Sequence, residues 1–81
     1  MSRLEYDDNC AGCRPVILSL DGKEIREPYV LAAIDLVWSL TTLAERRAWH
    51  RFTCLNSRAA GDVEAARSIT AGIQRAMEPR Q

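Results

Sequence analysis

The chain has a single histidine, His50, and it stands four residues before Cys54 in the stretch 42–58, TLAERRAWHRFTCLNSR, which reads as one helix. An i, i+4 spacing stacks two side chains on the same helical face, one turn apart. The two remaining cysteines, Cys10 and Cys13, form a C-x2-C pair in DNCAGCRP. Every Cys and His therefore belongs to a C-x2-C or an H-x3-C pair, the two half-sites of a closed Cys3His zinc centre. A fold that closes such a centre must bring the first segment of the chain back against a helix in its middle. Four protein ligands in tetrahedral array leave no position for a reactive water, so the pattern predicts structural Zn2+ and disfavours zinc catalysis.

Length makes a staple reasonable. At 81 residues the chain is read as one domain, 1–81, with room for a single modest core of the size that metals commonly supplement. Apolar residues make up 47% and charged residues 27%, a folded rather than a disordered composition. The opening MSRLEYDDN lacks the apolar core and cleavage site of a signal peptide, and the apolar run 29–40 is interrupted by Asp35 and too short to span a bilayer. These features, with three thiols that cannot all pair within the chain, predict a cytoplasmic protein with no membrane association.

Along the chain, Gly12 between the cysteines suits a tight zinc knuckle. Pro15, Val16 and Ile17 after the pair do not suit the helix of a thioredoxin-like redox motif, and Arg14 takes the place where c-type haem attachment needs His. Two short apolar runs around Asp21-Gly22, PVILSLDGKEI, predict a short β-hairpin. A first helix is expected over 26–40, with Pro28 in its first turn and Val30, Leu31, Ile34, Val37 and Trp38 at helical spacing. Its stripe is wide enough to suggest the central helix of a bundle.

Thr42-Leu43-Ala44-Glu45 is a capping box that starts the second helix. Ala44, Ala48, Phe52 and Leu55 form one face of it with Trp49 at the margin, while Leu43, His50 and Cys54 lie opposite. Residues 56–61 read as a turn. Asp62 is the expected N-cap of a third helix running to Met77 before Pro79, with Gly72 as a point of close helix approach. The fold class is thus mainly α: a three-helix bundle with an N-terminal zinc knuckle and a short β-hairpin, stapled through Cys10, Cys13, His50 and Cys54.

The chain carries no net charge, but 1–39 holds four basic against seven acidic groups, and 40–58 holds Arg46, Arg47, Arg51 and Arg58 against Glu45 alone. No second His, nucleophile elbow or phosphate-cradling loop is present, so no enzymatic activity is expected. The sequence predicts a small zinc-binding protein–protein interaction module, a regulator, adaptor or inhibitor of a larger assembly. Leu36, Trp38, Leu40, Arg46, Arg47 and Arg51 are its candidate partner-binding residues, rich in the Trp and Arg that dominate binding energy. The bland alternatives are that the stripe is all core, that it closes a homodimer, and that the arginines are merely solvated or paired with Asp7, Asp8 or Glu24. A nucleic-acid-binding alternative uses the same helix, with neutral net charge counting against it. A thiol-redox role for Cys10 and Cys13 is the second alternative.

Overall fold

The computed structural model of the chain describes residues 13–78. Cys10 and the expected knuckle around Gly12 lie outside the described residues, as do Asp7, Asp8 and Pro79. Three helices follow in order: α1 (Pro28–Leu40), α2 (Leu43–Cys54) and α3 (Ala60–Met77).

The expected β-hairpin is corrected. Around the turn, Gly22 N–H donates to the Ser19 carbonyl at 2.9 Å, Gly22 takes φ 83°, and one antiparallel bridge joins Leu18 to Glu24. No strand forms among the described residues. Leu18 and Leu20 are exposed, so no alternating face is buried to extend the pairing. What this segment contributes to the core is Ile17 and Ile25, both packed on its edge.

Pro28 at the first position of α1 has the fixed φ a helix start needs and no N–H to leave orphaned. This places the start two residues after the expected one. At the other end, the Trp38 carbonyl accepts hydrogen bonds from the Arg46 guanidinium at 2.8 Å and the Thr41 hydroxyl at 2.6 Å. Arg46 also lies 5.3 Å above the Trp38 ring and donates to Thr41 Oγ1 at 2.7 Å. One α2 side chain thus adds a donor to the last turn of α1, where Thr41 also bonds the same carbonyl, and fixes the corner between the two helices.

The capping box of α2 forms in both directions: Thr42 Oγ1 accepts from Glu45 N–H at 3.1 Å, and Glu45 Oε1 accepts from Thr42 N–H at 2.8 Å. The helix stops at Cys54, well short of Arg58, because Asn56 adopts φ 55°, a left-handed conformation that Asn tolerates better than most residues.

α3, and not α1, is the helix packed directly on both others. Ala66, Ile69 and Ile73 give it a buried stripe, and Gly72 lets α1 approach closely: a Cβ added there would stand 3.3 Å from Val37 Cγ1. α1 buries Val30, Ala33 and Ile34 in the same core, with Cys13 and Trp49. Its remaining apolar residues are not all core, since Leu36 is 55% and Leu40 74% exposed. No helix among the described residues is long and apolar enough to cross a membrane.

Candidate metal centre

Helix α2 carries two of the candidate ligands, and its register decides how they meet the third. The buried residues of α2 are consecutive, Ala48, Trp49 and His50, so Trp49 is central to its inner face and not marginal. Its indole N–H donates to the Cys13 carbonyl at 2.6 Å. That bond pins the segment leading into the hairpin-like turn onto α2 and sets the thiol of Cys13 beside the next residue, His50. Trp38 meets Trp49 edge-to-face, with ring centroids 6.4 Å apart, and keeps the indole from rotating away.

Cys13 Sγ lies 2.9 Å from His50 Nδ1 and 3.6 Å from Cys54 Sγ, and the three ligand atoms all fall within 4.8 Å of one another. Cys13 and His50 are buried, at 2% and 4% exposure, whereas Cys54 sits one turn further on at the solvent side. Thr53 buttresses that end of the helix, its hydroxyl donating to the Trp49 carbonyl at 2.8 Å.

Zinc-ligand distances test the fit. With Zn–S near 2.3 Å and Zn–N near 2.0 Å, a tetrahedral site has an S···S edge of about 3.8 Å and an S···N edge of about 3.5 Å. The Cys13–Cys54 separation, 3.6 Å, is within about 0.2 Å of that S···S edge. The Cys13–His50 contact has the length of a thiol–imidazole hydrogen bond and would open by about 0.6 Å to admit zinc, while the His50–Cys54 pair, the widest of the three at up to 4.8 Å, would close. Two sulfurs and one imidazole nitrogen converging from two segments form a soft donor set of the kind that binds zinc.

The structure therefore brings Cys13, His50 and Cys54 together as a group able to hold a metal ion. The other candidate residues are dispersed. Leu36 and Leu40 flank a shallow groove between α1 and α3, floored by Val37, Ile69 and Gly72. Trp38 is half-buried against the core. Arg46 is occupied by the corner described above, Arg47 is exposed, and Arg51 is paired with Asp62 at 3.0 Å.

Asp62 is not the N-cap expected of it. The N-cap is Ala59, and α3 begins two residues before Asp62, whose carboxylate turns inward in the first turn to accept from Arg51 Nε at 3.1 Å and Ser57 Oγ at 2.6 Å. Arg51 follows His50 directly, so this buried carboxylate ties the ligand-bearing helix to α3. The hydrogen bond from Arg51, then that from Ser57, hold the Asp62 carboxyl below its ordinary pKa, against a smaller opposing push from burial.

A depressed folded-state value means that the unfolded chain takes up the proton first as pH falls. The contribution of Asp62 is fully present above its unfolded pKa of about 3.9 and is lost as pH drops through the lower folded value. We expect Asp62→Asn to be less stable than the parent chain at neutral pH, with the difference closing in acid. Urea unfolding across a pH series checks this, and a difference constant with pH would refute it.

Compared with protein-family models, with curated proteins and with solved structures, the chain matches none.

Proposed function

We propose that this chain is a zinc-stapled helical module of a reducing, cytoplasmic compartment that acts by binding another protein, as a regulator, adaptor or inhibitor and not as an enzyme. The observation that carries the metal half of this reading is the convergence of Cys13, His50 and Cys54 within 4.8 Å. Cys10, three residues before Cys13 in the sequence, is the proposed fourth ligand. When bound, zinc supplies cross-linking and no reaction: it ties the amino-terminal segment to α2 by bonds far stronger than the apolar contacts that segment makes. The binding half rests on the exposed Leu36 and Leu40 of α1, large apolar side chains side by side on one helix face.

The nucleic-acid reading is weaker for a stated reason. Of the four arginines in 46–58, Arg46 is engaged with Trp38 and Thr41, and Arg51 with Asp62, leaving Arg47 and Arg58 for phosphates.

Elemental analysis of protein purified without metal-chelating resin tests the metal half, with about one zinc per chain as the expected result. A metal-free, fully folded chain with all thiols titratable would sink it. The binding half is tested by Leu36→Glu, which is expected to retain zinc and helicity while losing self-association or capture of its natural partner.

A further inference from the structure

A second surface lies between the end of α2 and α3. It is a concavity of about 500 Å³ whose apolar lining includes Phe52, Val63, Ala66 and Ala71, and whose rim carries Arg58 and Arg67. Among the described residues no carboxylate lines it. We propose that this groove is the seat of an acidic amphipathic helix of a partner protein, one that lays an apolar side chain on the alanine floor and places carboxylates beside Arg58 and Arg67. This deepens the reading of the chain as a protein-binding module, and rests on it.

Charge complementarity is the argument for that occupant. The Arg58 guanidinium sits 5.1 Å above the Phe52 ring and gives one N–H to the Ser57 carbonyl at 3.0 Å. A guanidinium held over an aromatic face and by one hydrogen bond meets a carboxylate with less further ordering than a free one. Arg67 is exposed and makes no ion pair among the described residues. Ala66 and Ala71, five residues apart on α3, both line the groove with small side chains. A helix laid there offers apolar anchors at helical spacing.

The same details argue against nucleic acid as the occupant. Single strands are held by a basic track together with aromatic faces open to base stacking. Here the one aromatic face is already covered by Arg58, and the floor is aliphatic.

The experiment is an NMR titration of the full-length, zinc-loaded chain with two synthetic helical peptides of about four turns. Both have the same Leu/Phe face, one flanked by Glu and the other by Lys. The Glu peptide is expected to move the amide signals of Phe52, Ala66 and Ala71, and the Lys peptide to leave them in place. Arg67→Ala should weaken the Glu peptide about tenfold, the loss of one charge-assisted contact. The double variant Arg58→Glu, Arg67→Glu should reverse the preference, an outcome that mere structural damage does not produce.

No response at millimolar peptide, an equal response to both peptides, or shifts confined to Leu36 and Leu40 would overturn the proposal. So would an oligothymidylate that moves the same signals at lower concentration than the Glu peptide. Zinc content is measured on each sample. Peptide binding by a metal-free folded chain would leave the groove standing and sink the zinc reading, while a zinc-loaded chain indifferent to both peptides does the reverse.

Discussion

Trp49→Ala is expected to lower the free energy of unfolding by about 3–5 kcal/mol, as removal of a large buried aromatic generally does. In a domain of this size that is most of the stability a single core supplies. Three separate losses converge on this residue. The indole's share of the buried core that also holds Ile69, Ile73 and Val30 is lost, its edge-to-face contact with Trp38 goes, and the Cys13 carbonyl loses the indole N–H as donor. Trp49→Phe separates them, because it keeps most of the ring volume while deleting the N–H, and is expected to cost about 1–3 kcal/mol. Chemical denaturation of the three proteins gives the answer directly. A loss below about 1 kcal/mol for the Ala variant, the size of an ordinary surface or near-surface change, would mean that Trp49 does not hold the core.

Cys13→Ser is expected to have the largest effect on metal content, because Cys13 is the one described ligand close to both of the others. Binding free energies of structural zinc are about 10–16 kcal/mol, and losing a thiolate from such a site removes a large part of that. Zinc should fall from about one per chain to a small fraction, and amides of Ile17 and Ile25 should exchange with solvent far faster. Amides in α2 and α3 should keep most of their protection, since Ala66, Ile69 and Ile73 pack on Trp49 without the metal. Hydrogen exchange with and without a chelator distinguishes this from the alternative, in which the amino-terminal segment is held by apolar packing alone and chelation changes nothing.

Much of this arrangement was legible in the sequence where a local rule acts without competition. The Thr42–Glu45 capping box is such a case, since both halves of the signal lie within one turn and nothing distant alters them. The H-x3-C pair is another: helical periodicity alone puts His50 and Cys54 on one face, and the structure places Cys13 beside them. Tertiary context changed the rest. Trp49 stands at the margin of the apolar arc on a helical wheel, but the wheel does not know that a segment from the front of the chain packs there and offers its indole an acceptor. Asp62 looks like an N-cap because it precedes an apolar run. The helix nonetheless begins at Ala60, without a side-chain cap, because the carboxylate is drawn inward by Arg51 and Ser57. Arg46 gave no signal of its part in ending α1, as its partners are a backbone carbonyl and the face of a ring eight residues earlier. The hairpin failed for lack of a buried face, which an Asp-Gly turn signal does not report.

The central position of α3 bears on how the molecule assembles as it is made. α1 is synthesised first of the three helices, but the surface that covers Val30 and Ile34 belongs to the helix synthesised last. Until Ile69 and Ile73 have left the ribosome, α1 has its apolar stripe in water and only a short α2 beside it, and an isolated helix of 13 residues is marginal by itself. Cys13, His50 and Cys54 all precede α3 in the chain, so the helix that completes the core is made after all three. A chain stalled with α3 still in the exit tunnel is therefore expected to be protease-sensitive throughout α1, and to become resistant once α3 has emerged. Resistance already present at the stall would show that zinc gathers the first two helices unaided. Under the expected order, α3 closes the core last.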